Sequence, residues 1–386
     1  MVADGREWPV VDGVATVTLL PPRTEIDWAI HVPEGILAEG TTKTGRLPAL
    51  VDVELSGSLP GVGLLGLPID CGTLLAALVL VVDPVAPEVL WYEDLAGDEG
   101  LRQTVIGATW VGNDVWAIVG RDSVVGVSLD GAVLGRFEHP AGLPLHHDLV
   151  WRDDRLFSLD AEVDPTAPER WVTDGIVDLT SAERTWALRD HVSPAGGDVL
   201  PGGYWESAFG PGAIDWSHAN TLAADGDGWL VSFRHLDAIA RLDADGGIDW
   251  VLGAPDSPLG SDFTWATEVP GAALDLRGQH HATRLPDGSI GVFDNRVSSS
   301  SRVLKIRLDG ETATITDVWT LDRTCLVQGG AYWLDDGGVV ATCSSDGLIV
   351  AFDADGSERG RLSVSCALTE RPARGLIRAT PLPGLP

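Results

Sequence analysis

Residues 215–250 read DWSHANTLAADGDGWLVSFRHLDAIARLDADGGIDW and give the clearest indication of the fold. Short runs rich in Val, Leu, Ile and Trp stand on either side of two turns, Asp225-Gly226 and Asp245-Gly246. An Asp-Gly pair supplies the positive φ that a tight hairpin needs, so each pair predicts a turn between antiparallel strands. The stretch is therefore typical of a blade of a β-propeller.

The same turn chemistry recurs along most of the chain, while amphipathic stretches with a helical period are nearly absent. The further turns of this kind are Asp130-Gly131, Asp287-Gly288, Asp309-Gly310, Asp336-Gly337 and Asp355-Gly356. They lack the full run of oxygen ligands and the closing Glu of an EF-hand, so they predict hairpins rather than calcium loops. Many hairpins at blade-like spacing predict an all-β chain whose main part is a β-propeller rather than a sandwich.

A different pattern precedes these repeats. A strand ending in Leu-x-Pro-x-Thr is followed by an alternating strand with Ile26, Trp28 and Ile30 on one face. This pattern resembles the later strands of a fibronectin type III sandwich. We therefore expect a small, partial fibronectin III-like β-sandwich segment over residues 1–48 and a β-propeller catalytic domain over residues 49–386.

No signal peptide is visible at the N-terminus, because MVADGREWPV has neither a basic n-region nor an apolar h-region. Either the protein is cytoplasmic or its export signal lies outside this sequence, and the partial sandwich favours the second option. The longest apolar stretch, residues 72–82, is far too short to span a bilayer, so we expect no membrane insertion.

The chain is strongly acidic, since 57 Asp and Glu residues against 26 Lys and Arg residues give a formal net charge of −31. Nucleic-acid phosphates need a basic face, so this balance argues against nucleic acid as a partner. It also disfavours docking on an anionic membrane surface. We interpret the acidity as a device for solubility or for life in salty water. An anionic substrate would have to be met by a local cationic site.

Four cysteines are present, at Cys71, Cys325, Cys343 and Cys366. No CxxC pair occurs, which argues against a zinc ribbon or a redox dithiol. Four cysteines allow three pairings. We expect Cys325 and Cys343 to lie on neighbouring strands of one sheet, which favours a bridge between them. The alternative is that all four are small buried hydrophobic residues.

Five of the nine histidines fall in three short clusters, which are His146-His147-Asp148, Ser217-His218-Ala219-Asn220 and Gln279-His280-His281. Each cluster directly precedes a strand–turn–strand pattern, and such strand starts converge on the central channel of a propeller. A sixth histidine, His235, adjoins Arg234. A lone histidine at such a position is usually a structural hydrogen-bonding residue. Three clusters in the same phase of three repeats predict a shared site.

These motifs resemble those of the bacterial aryl-sulfate sulfotransferases. The similarity covers roughly residues 146–355, and its elements are the His-His-Asp, Trp-Ser-His-Ala-Asn, Arg-His and Gln-His runs in that order. The resemblance implies a six-bladed propeller that moves a sulfuryl group between phenols through a sulfated histidine, without a nucleotide donor. It implies an aryl sulfate donor, a phenolic acceptor, no cofactor, no metal and a periplasmic or extracellular location. It leaves the oligomeric state open, with a homodimer as one option.

His280 stands at the Gln-His position, and the resemblance makes it the nucleophile that becomes sulfated. The doubled histidine departs from the single histidine followed by Asp that is usual in the family, so His281 is a second candidate. His147 is favoured over His146 because it adjoins Asp148. Since neighbouring side chains of a strand point to opposite faces, we expect one histidine of each pair to face the channel.

Arg234 can bind two sulfuryl oxygens with its fork of donors and cannot lose its charge. His147 and His218 can donate to the remaining oxygens or accept the proton of the acceptor phenol. The expected catalytic residues are His280, His218, Arg234 and His147, and the expected substrate-binding residues are His146, His281, His235 and Asn220. Asn220 has the alternative role of holding the backbone of the pocket. Phe233 replaces the Ser of the family pattern and either narrows the pocket or packs in the core.

Two other functions compete with this interpretation. Histidines that converge on a propeller axis can bind iron or another transition metal, as in an oxygenase, although the fixed charge of Arg234 argues against a metal beside it. A non-catalytic propeller that binds an anionic glycan or a protein would keep Arg234 but needs no phased histidines. A sulfatase is disfavoured because no Cys-x-Pro-x-Arg segment occurs around any of the four cysteines.

Overall fold

The structure is a computed structural model, and it describes residues 1–3, 5–10, 14–47, 53–69, 77–95, 105–167, 169–194, 200–201, 204–296, 298–366, 371–372, 376–383 and 385. Over these ranges the chain is nearly all β. The helical pieces are one short α-helix, Glu206–Phe209, and the 3-10 turns Leu188–Asp190, Arg234–Leu236 and Ser344–Asp346. No helix within these ranges is long and apolar enough to cross a membrane. Cys71 lies outside the described residues.

The N-terminal segment forms its own small sheet. Its strands are β1 (Val2–Ala3), β2 (Arg6–Glu7), β3 (Glu25–Val32) and β4 (Gly35–Lys43). They are ordered β2-β1-β3-β4, and β3 is the alternating strand expected from the sequence. Ile26 of β3 is buried, whereas Trp28 and Ile30 are only partly covered. This sheet is separate from the sheets that follow it along the chain.

Six further sheets follow in the described part of the chain. Their strands are β5 (Val53–Ser58), β6 (Leu65–Ile69), β7 (Leu78–Asp83), β8 (Glu88–Asp94), β9 (Val105–Val111), β10 (Asp114–Val119), β11 (Ser123–Ser128), β12 (Val133–Glu138), β13 (Leu145–Arg152), β14 (Arg155–Val163), β15 (Trp171–Asp178), β16 (Glu183–Ala187), β17 (Leu200–Pro201), β18 (Ile214–Asp215), β19 (Ala219–Asp225), β20 (Gly228–Phe233), β21 (Ala238–Leu242), β22 (Ile248–Gly253), β23 (Thr264–Thr267), β24 (His280–Arg284), β25 (Ile290–Asp294), β26 (Arg302–Asp309), β27 (Thr312–Thr320), β28 (Gly330–Trp333), β29 (Val339–Cys343), β30 (Leu348–Phe352), β31 (Glu358–Cys366), β32 (Arg371–Pro372) and β33 (Thr380–Pro381). The sheets are β33-β6-β7-β8, β9 to β12, β13 to β18, β19 to β22, β23 to β27, and β28 to β32 with β5.

Neighbouring sheets contact each other through strands that come early in each one. The contacts join β6 with β9, β9 with β13, β13 with β19, β19 with β24, and β24 with β28. Apolar side chains of β6 share one core cluster with Val340 and Ile349 of the last sheet, which brings the last sheet against the first. The early strands therefore surround a common centre, as in a propeller-like arrangement.

Two strands tie the first and last sheets together. The N-terminal strand β5 pairs with β31 of the last sheet, and the C-terminal strand β33 pairs with β6 of the first. Each of these two sheets thus contains a strand from the opposite end of the chain. Opening the ring requires breaking backbone hydrogen bonds at both places, so the closure stabilises the whole assembly. The C-terminal segment also carries Arg378 into the interior.

The Asp-Gly turns predicted from the sequence are confirmed. Gly226 and Gly246 have φ values of 62° and 83°, and each lies between two antiparallel strands of one sheet. The same holds for the glycines of the other Asp-Gly pairs, which are Gly131, Gly288, Gly310, Gly337 and Gly356. Only glycine adopts this conformation at no steric cost, so these positions mark the hairpins in the sequence itself.

Cys325 and Cys343 form a disulfide across a sequence separation of 18 residues. The favoured pairing is therefore confirmed, but the expectation that both lie on strands is wrong. Cys343 ends β29, whereas Cys325 lies in the loop before β28. Both side chains are fully buried beside Phe293 and Trp319. The bridge fastens the 325–328 loop to the last sheet.

Replacing both cysteines by alanine is expected to lower the free energy of unfolding by about 3 kcal/mol, because the bridge restricts the unfolded chain. Chemical denaturation of the oxidised wild type and of the Cys325→Ala/Cys343→Ala variant measures this difference. Denaturation of the wild type under reducing conditions, which also opens the disulfide of Cys366, gives the combined effect of the bridges. Equal unfolding midpoints in all three samples would contradict the expectation.

Candidate active site

The three histidine clusters lie at the starts of strands β13, β19 and β24, which belong to three different sheets. In each cluster one histidine adopts left-handed backbone geometry, with φ of 56° at His147, 49° at His218 and 53° at His281. The strand pairing shifts register at the same places. Such a bulge interrupts the alternation of side chains along a strand. The regular alternation on which the expectation rested is therefore interrupted at these positions, and the orientation of one histidine of each pair toward the channel stays a prediction.

Four of the histidine rings form one group. The ring centres of His147 and His218 are 4.9 Å apart, those of His147 and His280 are 6.3 Å apart, and those of His218 and His235 are 4.7 Å apart. The side chain of His218 is 11% exposed, and the other three residues are buried. Residues from three sheets thus meet at one place, with Arg234 adjoining His235.

His280 has a defined tautomer. Its Nδ1 atom lies 2.8 Å from Oδ1 of Asn295 and 3.1 Å from the carbonyl oxygen of Gly278. Both neighbours are acceptors, so Nδ1 carries the proton and Nε2 carries the lone pair. Burial holds the pKa of His280 well below its ordinary value, and the charges of Arg234 and His218 act in the same direction. The ring is therefore neutral near pH 7.

Asp215 organises the second part of the group. Its Oδ2 lies 2.6 Å from Nδ1 of His218, and its backbone carbonyl accepts from Nδ1 of His235 at 2.9 Å. Burial raises the pKa of Asp215, but His218 and His235 outweigh burial and hold it below its ordinary value. Because Asp215 stays ionised, it fixes the Nδ1–H tautomer of His218 and leaves Nε2 free.

Arg234 lies at the start of the 3-10 turn Arg234–Leu236. Its Nη1 donates to Nε2 of His235 at 2.7 Å, and its Nη2 donates to the carbonyl oxygen of Leu326 at 3.3 Å. Burial lowers the pKa of Arg234 from its ordinary value, while Asp215 and Asp237 oppose that change. Across the described ranges, Arg234 forms no ion pair with a carboxylate within 4.0 Å. Arg234 is therefore a half-buried cation that can bind an anionic group.

His146 and His147 contact each other. Their Nδ1 atoms are 2.9 Å apart, and Nε2 of His146 faces the carbonyl oxygen of Asp160 at 3.2 Å and the carboxylate of Asp174 at 3.1 Å. In a neutral His146 ring, Nε2 carries the proton and Nδ1 accepts from His147. The lone pair of His147 is then on Nε2. Burial holds the pKa of His147 well below its ordinary value.

His281 and Asn220 lie beside this group and make backbone contacts. Nδ1 of His281 accepts from the backbone N–H of Ala331 at 3.1 Å, and its ring centre is 4.5 Å from that of Tyr332. Nδ2 of Asn220 donates to the carbonyl oxygen of Gln279 at 2.6 Å. Phe233 is fully buried in an apolar core cluster, so it packs in the core.

Tyr204 and Arg378 also lie at the site, although the sequence around them carries no motif. The ring of Tyr204 lies 5.4 Å from that of His218 and 5.7 Å from that of His147, and the guanidinium of Arg121 lies 4.3 Å from its centre. Burial raises the pKa of Tyr204 to about 12. An aromatic face beside the histidines offers a contact surface for a flat ring. Arg378 pairs with the Asp148 carboxylate at 2.9 Å.

The donor atoms of Asp215, His218 and His235 lie within 4.8 Å of one another, which is close enough for them to share a metal ion. However, Nδ1 of His218 is 2.6 Å from the Asp215 carboxylate, which is a hydrogen-bond distance. Two ligands of one tetrahedral ion at about 2.1 Å from the metal stand roughly 3.4 Å apart. The side chains would therefore have to separate to accept an ion.

A family model described as Arylsulfotransferase (ASST) matches residues 86–325. The match spans more than half of the chain and includes all three histidine clusters and Arg234. The chain belongs to the arylsulfotransferase family. This confirms the resemblance seen in the sequence, although the matched region begins before residue 146 and ends before residue 355. No curated protein matches the chain.

Two solved structures show a distant likeness. A protein of unknown function from Bacteroides caccae is 10% identical, with 77% of this chain and 92% of that chain covered and a TM-score of 0.45. A catalytically inactive virginiamycin B lyase from Staphylococcus aureus, solved with Quinupristin, is 10% identical, with 81% and 99% covered and a TM-score of 0.41. Membership of the arylsulfotransferase family rests on the family model alone.

Proposed function

We propose that this protein transfers a sulfuryl group from an aryl sulfate ester to a phenolic acceptor, without a nucleotide donor, through a sulfated His280. The observation that carries the proposal is a buried neutral imidazole near a cation that forms no ion pair with a carboxylate among the described residues. His280 has a free lone pair on Nε2, and Arg234 is close enough to depress its pKa. A sulfate ester needs such a cation to hold its oxygens beside the nucleophile.

In the first step, the Nε2 lone pair of His280 attacks sulfur and forms an N–S bond. The bond from sulfur to the aryl oxygen breaks, and the phenol leaves with the electron pair as a phenolate. The conjugate acid of that phenolate has a pKa of about 10, so the group leaves with little help from a general acid. Arg234 binds the sulfuryl oxygens, whose charge is stabilised best in a site with little water.

In the second step, the oxygen of the acceptor phenol attacks sulfur, and the N–S bond breaks with its electron pair returning to Nε2 of His280. The acceptor proton passes to a base within the group. Nε2 of His218 and Nε2 of His147 both carry lone pairs beside Tyr204, and either can receive that proton. The base then passes its proton to solvent and the neutral Nδ1–H tautomer of His280 is restored, so the cycle consumes no cofactor.

The wider architecture fits this role. We infer that the six sheets are the blades of a six-bladed propeller over residues 49–386, with a fibronectin III-like segment over residues 1–48. The Cys325–Cys343 disulfide supports a periplasmic or extracellular location, because such bonds persist in oxidising compartments. The substrates are small molecules, and the net charge of −31 disfavours a nucleic acid.

Release of 4-nitrophenol from its sulfate ester, with and without an added phenol, tests the reaction. We expect the phenol to stimulate release, which distinguishes a transferase from a sulfatase. His280→Ala should lower kcat/KM on the order of 10³-fold or more, as expected when a nucleophile is lost. Unchanged turnover by a folded His280→Ala variant would contradict the proposal.

The same variant identifies the sulfated residue. His280 and His281 lie together between Arg277 and Arg284, so one tryptic peptide contains both. We expect intact mass to show one sulfuryl group after incubation with donor alone in the wild type and in His281→Ala. His280→Ala should show none. A sulfated peptide from His280→Ala would refute the assignment.

Because the pKa of His280 is lowered, we predict that the rate of the first step does not fall on the acidic side of neutral pH. The ring must be neutral to attack, and its pKa lies well below 6.5, so protonation removes activity only well below pH 6.5. We expect the single-turnover rate of 4-nitrophenol release to stay constant between about pH 6 and pH 8. Loss of rate centred near pH 6.5 would show that the histidine is not desolvated.

A second candidate, metal binding at Asp215, His218 and His235, is favoured by the distances between their donor atoms. The neighbouring charge of Arg234 and the direct His218–Asp215 hydrogen bond oppose it. We expect purified protein to contain no stoichiometric transition metal and sulfotransfer to survive chelation. One metal ion per chain that is lost in His218→Ala would support the metal-binding function instead.

A further inference from the structure

Asn295 contacts the imidazole of His280 from the side away from Nε2. It directly follows β25 and is fully buried. Its Oδ1 accepts from Nδ1 of His280 at 2.8 Å. This hydrogen bond affects which nitrogen of the His280 ring carries the proton.

The orientation of the Asn295 amide is fixed by its other contacts. Nδ2 donates to the carbonyl oxygens of Cys325 and Gln328, each at 2.8 Å. Both partners accept only, so the NH₂ group must face them and Oδ1 must face His280. A flipped amide would place its oxygen against two carbonyl oxygens and its NH₂ group against the Nδ1 proton of His280. The amide therefore permits one tautomer of His280.

The loop that supplies these carbonyls is itself held in place. Cys325 is bridged to Cys343, its backbone N–H donates to the Ser301 hydroxyl at 2.7 Å, and the Gln328 side chain accepts from Ser344 at 2.8 Å. The hydroxyl of Ser301 in turn donates to the Asn295 carbonyl oxygen. A chain of contacts thus runs from the disulfide through Asn295 to the ring of His280.

We propose that Asn295 is a positioning residue that fixes the Nδ1–H tautomer of His280 and so places the lone pair on Nε2. The proposal rests on the proposed function. In the attack, Nε2 gains the sulfuryl group while Nδ1 keeps its proton, so the sulfated ring carries positive charge. Asn295 and Gly278 accept from that proton and stabilise the charge as it develops.

Two variants of Asn295 separate positioning from a structural role. Asn295→Ala removes the acceptor, and we expect kcat/KM to fall about 10²-fold with KM little changed, as for a misplaced reactive group. Asn295→Asp keeps an acceptor for Nδ1 but places a carboxylate beside the ring. The carboxylate raises the pKa of His280, so the acidic limb of the single-turnover rate should move to higher pH.

Asn113 supplies the matched control, because it is an exposed asparagine in the β9–β10 turn. Asn113→Ala and Asn113→Asp should both keep the rate and pH profile of the wild type. Folded Asn295 variants with the rate and the pH profile of the wild type would overturn the proposal. If Asn295→Asp lowers the stability of the protein but does not shift the acidic limb of its pH–rate profile, Asn295 has a structural role only. That result would also overturn the proposal.

Nitrogen-15 NMR of the imidazoles provides a measurement that needs no activity. We expect the His280 resonances, assigned by their loss in His280→Ala, to show Nδ1–H in the substrate-free wild type. Asn295→Ala should show a mixture of tautomers. A proton on Nε2 in the wild type would overturn the positioning role even if the enzyme is active. If Nδ1–H is seen and no aryl sulfate reacts, the proposed function fails while the tautomer assignment stands.

Discussion

The histidine rings at the centre of the molecule are largely removed from water, so each ring N–H must donate a hydrogen bond to an acceptor in the protein. That requirement explains the residues around them. Oδ1 of Asn295 accepts a hydrogen bond from Nδ1 of His280, the Asp215 carboxylate accepts one from His218, and the Asp215 carbonyl oxygen accepts one from His235. The acceptors lie on the Nδ1 side in each case. Nε2 of His280 and Nε2 of His218 are thereby left available, and burial keeps the His280 ring neutral.

Closure of the ring of sheets determines which residues reach this centre. Because β33 pairs with β6, the preceding C-terminal segment is drawn into the interior, and Arg378 pairs there with Asp148. The guanidinium also donates to the carbonyl oxygen of Asn220 at 3.0 Å. Burial raises the pKa of Asp148, and the charge of Arg378 opposes that rise. A buried charge of this kind is tolerated only when it is paired, so the fold and the site depend on the same closure.

Much of the fold could be predicted from local sequence, because Asp-Gly turns and apolar strands are determined by residues that are close together along the chain. The clusters at His147, His218 and His280 could be placed together for the same reason, since each precedes a strand of one type. The bulges could not be foreseen, because alternation is a property of regular strands only. Tyr204 and Arg378 carry no motif and lie outside the strands of the sheets. The contact of Asn295 with His280 could not be predicted, because the two residues are fifteen positions apart in sequence.

The charge of the molecule opposes its proposed substrate, and the local arrangement of cations resolves the conflict. A net charge of −31 repels a sulfate ester at long range, but salt screens such fields over about 8 Å at physiological ionic strength. At shorter range the local electrostatic potential depends on the groups that each arginine contacts. Arg378 is neutralised by Asp148 and Arg121 lies against the Tyr204 ring, whereas Arg234 donates to neutral acceptors. Among the described residues its charge forms no ion pair with a carboxylate, and this suits the anionic substrate that we propose for the site.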